Sequence, residues 1–154
     1  MKYEIITTIT LAIIAGLFTW IKYKLERDKM RKELFTEFNL RYSNLNKGLF
    51  EIAQIEKHID FCDLEVERLR QLNDVAMDYF NLCAEENLWN SKNRIHKDVW
   101  KSWQKGMNDW MKCSVVLRIL WIQETNNTGY ISYYISNPYQ FFDKNLFTEE
   151  LKTK

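Results

Sequence analysis

Residues 3–23 read YEIITTITLAIIAGLFTWIKY, and this stretch decides how the rest of the chain is understood. Its middle, residues 5–21, holds no charge and no proline, and tyrosines bracket it. A helix needs about 20 apolar residues to cross roughly 30 Å of hydrocarbon. Behind the run come Lys22, Lys24, Arg27, Lys29, Arg31 and Lys32, whereas the leading end offers only Lys2. Positive flanks stay in the cytoplasm, so the expected topology is a single-pass anchor in the inner (cytoplasmic) membrane, N-terminus out and remainder in the cytosol. A cleaved signal peptide would close on small residues. Phe18, Thr19, Trp20 and Ile21 followed by cations suit a stop-transfer anchor instead. A buried helix of a soluble domain would carry a polar face, which this run lacks.

The anchor has two unlike sides. At about 100° per residue, Thr8, Ala12, Ala15 and Thr19 fall within about 60° of one another, with Gly16 beside them. Small residues let membrane helices approach closely, and threonine hydroxyls bond across such contacts. Ile6, Ile9, Ile13 and Leu17 form the opposite, bulky side and suit lipid. A self-associating anchor is one expectation; a narrow threonine-lined pore is its stronger form.

Three segments are expected: residues 1–23 as transmembrane anchor, 24–33 as a charged juxtamembrane helix, and 34–154 as a cytosolic helical domain. The fold class is all-α, with the anchor helix continuing into the bundle. Four glycines and one proline leave few breaks in a chain of 154 residues, and 15% aromatic content supplies a core. A net charge of +1 gives no basis for nucleic-acid binding. Cys62, Cys83 and Cys113 are odd in number and have no CxxC spacing, which fits buried thiols in a reducing compartment rather than a disulfide framework. Asn126-Asn127-Thr128 matches a glycosylation sequon that a cytosolic domain would not use.

The six cations of residues 22–32 are membrane-surface candidates, each worth about 1 kcal/mol against anionic lipid and partly offset by Glu26, Asp28 and Glu33. An apolar stripe then begins: Leu34, Phe35, Phe38, Tyr42, Leu45 and Leu49 share one helix side. Asn44, Asn46 and Gly48 are expected to interrupt this helix before Phe50, Ile52, Ile55 and Ile59 resume it. Residues 63–90 read as a central helix whose buried side is Leu69, Leu72, Ala76, Tyr79, Phe80 and Cys83. Residues 95–112 form the cleanest amphipathic helix, with Val99, Trp100, Trp103, Met107, Trp110 and Met111 inward. Residues 114–125 are apolar almost all round and should be the most buried helix. Pro138 interrupts an aromatic-rich tail over residues 130–147, expected to pack extended over the bundle, or to hold a short strand at 130–135.

Chemistry is sparse. His58 and Cys62 stand one turn apart, but two ligands do not make a zinc site. His96 opens the tryptophan stripe, either as a proton-transfer group in an aromatic pocket or as a helix cap. Glu67, Asp74, Asp78 and Glu85 project together from the central helix, and Lys97, Lys101, Lys105 and Lys112 from the next. Both read as solvated faces, with a sharper option that they pair between stacked copies. Trp89, off the buried side of its helix, is the candidate for an exposed contact. No Gly-rich phosphate loop or nucleophile motif accompanies any of these, so no catalytic residue, cofactor or metal is assigned.

Residues 38–46 (FNLRYSNLN), 78–86 (DYFNLCAEE), and Val99-Trp100-Lys101-Ser102-Trp103 with Gly106-Met107 resemble small bacterial proteins that join one N-terminal anchor to a compact cytosolic helical domain. In layout the chain is similar to the membrane accessory proteins of type VI-B CRISPR systems, which implies antiviral defence through a membrane assembly. The arginine–histidine motif of HEPN ribonucleases is lacking, since Arg94-Ile95-His96 is too closely spaced. The expected function is therefore assembly or partner binding at a lipid membrane, as a homo-oligomer or with another protein. A pore-forming oligomer and a tethered enzyme using the acidic helix face are the alternatives.

Overall fold

In the computed structural model, residues 2–148 are described, except for the side chains of Lys2, Glu4, His58 and Ile59. The His58–Cys62 pairing therefore lies outside the described residues. Five α-helices follow in order: α1 (Lys2–Ala53), α2 (His58–Cys62), α3 (Val66–Ser91), α4 (Lys97–Cys113) and α5 (Val115–Glu124). Two 3-10 segments, Asn126–Tyr133 and Lys144–Phe147, follow among the described residues. There is no strand among the described residues.

Helix α1 is a single 52-residue element, about 78 Å long at 1.5 Å per residue. Its apolar first half touches nothing: Ile5, Ile6, Ile9, Leu11, Ile13, Leu17, Phe18 and Trp20 are all exposed. It is the one helix among the described residues long and apolar enough to cross a membrane, and none of its most apolar window is buried. The charged stretch at 24–33 continues the same helix without a break.

The second half of α1 lies chiefly on α3. Phe38, Leu49 and Ile52 are buried, with Leu34, Tyr42 and Leu45 half-buried beside them, as the stripe requires. Phe35 stays largely exposed yet stacks on Trp103 with ring centroids 6.0 Å apart. The expected interruption at Asn44, Asn46 and Gly48 does not occur. Gly48 is where α3 comes closest: a Cβ there would stand 2.8 Å from both Val75 methyl groups. The glycine serves close helix packing, a role it shares with many glycines inside helical patterns.

The ends of the later helices follow from local chemistry. Asn93 adopts a left-handed backbone (φ 57°) after α3, and the Arg94 N–H closes on the Trp89 carbonyl at 3.0 Å. Asparagine tolerates that conformation better than most residues. His96 caps α4, its Nδ1 accepting from the Asp98 N–H at 3.3 Å. Ser114 caps α5 by accepting from the Leu117 N–H at 3.2 Å. At Gly129 the chain turns so tightly that a Cβ would lie 2.0 Å from the Glu124 carbonyl oxygen.

Helix α5 carries the centre of the core. Trp121 is fully buried, with Phe80, Tyr133, Phe141 and Phe142 around it at centroid separations of 5.0 to 5.6 Å. Its indole N–H donates to the Pro138 carbonyl at 2.9 Å. The tail does pack over the bundle, but residues 130–133 form a 3-10 turn rather than a strand or an extended segment. Trp100, Trp103 and Trp110 are half-buried, so Trp121 alone of the four core tryptophans is enclosed. The thiols also differ from expectation: Cys83 is buried, while Cys62 and Cys113 are exposed.

Candidate functional site

Two regions stand out: the bare half of α1 with its cationic collar, and a cavity where α1, α3 and α4 meet.

Within the bare half, the Thr19 hydroxyl donates to the Ala15 carbonyl at 2.9 Å, and Thr7 and Thr10 make the same backward bond. The side carrying Thr8, Ala12, Ala15, Gly16 and Thr19 is open, and a Cβ on Gly16 would meet no neighbour within 4 Å. The collar is laced by exposed helical pairs: Lys22–Glu26 at 3.9 Å, Lys29–Glu33 at 3.8 Å and Arg31–Asp28 at 4.0 Å. Such exposed pairs add little stability, and they offset three of the six cations. Lys24 sits over the Trp20 ring and Arg27 over the Tyr23 ring, with centroid distances of 5.8 and 5.9 Å. This arrangement joins an aromatic body at the end of the run to a charged tip beyond it.

Sequence reasoning missed a second contribution to the collar. Ile95 and His96 line a notch together with Arg31 and Lys32, which brings the α3–α4 connection beside the emerging α1. That connection carries Lys92, Arg94 and Lys97, so a cationic loop joins the cationic helix. Four basic or imidazole side chains in residues 92–97 were the available signal.

The structure separates the charged stripes. Glu67 pairs with Arg70 on its own helix, and Asp74 and Asp78 are exposed. Glu85 takes a bidentate ion pair from Arg41 of α1, with Nη1 donating to Oε2 at 2.6 Å and Nη2 to Oε1 at 2.9 Å. Lys105 pairs with Asp109 along α4, while Lys97, Lys101 and Lys112 are exposed. Trp89 is half-buried against Phe38, Leu82 and Ile95 instead of standing out as a contact. One cause explains both Glu85 and Trp89: α1 crosses the last turns of α3 and covers what helical periodicity alone leaves outside.

Beneath that crossing is a cavity of about 190 Å³. Helix α1 supplies Asn39 and Tyr42, α3 supplies Tyr79, Leu82, Cys83 and Glu86, and α4 supplies Ser102, Trp103, Gly106 and Met107. Glu86 is only 6% exposed. Among the described residues no hydrogen bond reaches its carboxyl, which opens onto the cavity. Burial pushes the Glu86 carboxyl up to about 8; the Arg41 charge opposes this and the Glu85 charge adds to it. Burial also holds the Cys83 thiol well above its ordinary value, with the Glu86 charge contributing. A thiol so held is a poor nucleophile at neutral pH. The Tyr79 hydroxyl donates to the Met107 carbonyl at 3.5 Å, and the Tyr42 hydroxyl accepts from the Trp110 indole N–H at 2.7 Å. His96 lies outside the cavity, exposed and engaged as a cap. The cavity can therefore hold a small molecule against one carboxyl and several aromatic residues.

Compared with known families, curated proteins and solved structures, the chain matches none.

Proposed function

We propose that this chain is a single-pass membrane protein that holds a helical bundle against the cytoplasmic face and works through assembly or partner binding. The observation that carries the reading is the bare half of α1: an 18-residue apolar window with none of its residues buried. So long an apolar helix face left open in water is expected to find lipid or a protein partner. The combined collar of residues 22–32 and the α3–α4 connection supports the cytoplasmic placement of the bundle. Association between copies runs along Thr8, Ala12, Ala15, Gly16 and Thr19, where backbones approach without steric hindrance. The layout shared with type VI-B accessory proteins suggests bacterial antiviral or stress defence as the setting.

Two measurements test this. The full chain should stay in the membrane pellet after alkaline carbonate washing, and a tag at its C-terminus should resist protease added to spheroplasts. Release into the wash, or digestion of the tag, overturns the reading. For assembly, the Ala12→Leu/Ala15→Leu double variant should lower the mass of the detergent-solubilised particle while leaving it membrane-bound. An unchanged mass removes that stripe as the contact.

A further inference from the structure

The cavity between α1, α3 and α4 plays no part in anchoring or in the contacts of the bare helix. We propose that it is a binding site for a small organic ammonium ion, held by the Glu86 carboxylate against the Trp103 and Tyr42 rings.

The argument begins with the carboxyl. Glu86 is nine-tenths buried, opens onto the cavity and has no hydrogen-bond donor among the described residues. Its oxygens are not among the fully enclosed unsatisfied atoms, so they face the solvent of the cavity, and a cation that enters there meets a carboxyl no protein donor occupies. The nearest cation, Arg41, is already held by both oxygens of Glu85, so Glu86 is left without a protein counter-ion of its own. The walls suit a cation with an apolar stem. Trp103, Tyr42 and Tyr79 line the space together with the apolar Leu82 and Met107, a composition that suits such a cation. Asn39 donates its Nδ2 to the Phe35 carbonyl at 2.7 Å, which leaves its side-chain oxygen as a further acceptor.

Size and ligand number narrow the class. A volume of about 190 Å³ equals roughly six waters in the liquid, enough for an amine of a few heavy atoms and too small for a nucleotide. A bare metal ion is disfavoured because the described residues bring no three metal-ligating side chains together.

Two sources share the ammonium chemistry: a free amine and a lipid headgroup. On the membrane reading, Asn39 lies about 24 Å along α1 from Tyr23, beyond the headgroup layer, which favours the free amine.

The groups facing Glu86 also set the proton balance. They are Arg41 and Tyr42 from α1, with Glu37 beside Arg41, and Tyr79, Cys83 and Glu85 on α3; α4 contributes no titratable group to the wall. At neutral pH the empty site holds a protonated Glu86, so entry of the cation releases one proton to solvent. Binding tightens as pH rises toward 8.

The test uses the full chain in detergent micelles with n-butylammonium as probe and 1-pentanol, a neutral alcohol one carbon longer, as its control. Calorimetry should show butylammonium binding with proton release, visible as a heat that depends on the buffer, while pentanol binds at least about tenfold more weakly. Glu86→Gln keeps the shape and should weaken the amine by about tenfold or more. Gly106→Leu should abolish binding, because a side chain there grows into open space. Its melting temperature should not fall, since leucine favours a helix more than glycine does. Equal binding of pentanol, unchanged binding by Glu86→Gln, or no heat with butylammonium overturns the proposal. Affinity should be the same in phosphatidylglycerol vesicles with and without phosphatidylethanolamine; loss of free-amine binding in the vesicles that contain phosphatidylethanolamine overturns the assignment to a soluble ligand.

Discussion

Arg41 of α1 and Glu85 of α3 meet through two parallel hydrogen bonds, and this fork fixes where the long helix crosses the bundle. Both side chains remain about one-third exposed, so solvent screens much of the attraction. Replacing either partner, as Arg41→Gln or Glu85→Gln, is expected to cost about 1 kcal/mol in urea unfolding. A double-mutant cycle should return a coupling of similar size; a coupling near zero would show that the fork is incidental to stability.

Glu86 makes stability depend on pH. Its folded-state value of about 8 lies above the 4.5 of an ordinary carboxyl, so the native state binds the extra proton between those limits. The contribution is fully present below pH 4.5 and lost as pH rises through 8. The loss is on the order of 5 kcal/mol when complete. Glu86→Gln should flatten that descent. Unfolding curves at pH 5, 7 and 9 (about two pH units apart) check this, with parallel wild-type and variant profiles as the contrary result.

At Gly48 two effects oppose each other. Alanine would gain about 1 kcal/mol of helix propensity over glycine. Its methyl, however, would stand 2.8 Å from the stiff, branched Val75 side chain, and overpacking of this kind costs about 1–3 kcal/mol. Gly48→Ala is therefore expected to destabilise, and Gly48→Ala/Val75→Ala to recover most of the loss. Stabilisation by the single change would mean that the helices separate freely there.

Much of this architecture was legible because it rests on periodicity. The stripe from Leu34 to Leu49, the buried side of α3 and the tryptophan side of α4 repeat at helical spacing, and each packs as that spacing requires. What stayed hidden depends on how helices cross. Gly48 looks like a break until Val75 is seen against it. Glu85 looks solvated until Arg41, 44 residues earlier, arrives beside it. Glu86 stands next to Glu85 in sequence, yet only the meeting of three helices makes its carboxyl an interior group. The tail was harder still, since its path turns on left-handed residues at Asn127, Thr128 and Tyr134, which carry no periodic signal.

Trp121 ties that tail down. Trp121→Ala should cost about 3–5 kcal/mol, because four aromatic neighbours lose their common contact. Trp121→Phe should cost about 1–3 kcal/mol, since it leaves the Pro138 carbonyl without its donor. Thermal melts compare the two; equal losses would place the energy in the hydrogen bond rather than in the ring cluster.

The unbroken course of α1 has a mechanical meaning. A flexible linker after the apolar run would let the bundle tumble independently, but no glycine or proline interrupts residues 17–47, and 52 residues share one axis. Any lean or axial roll imposed on the outer end is carried, like torque through a driveshaft, straight to the helices gripping the other.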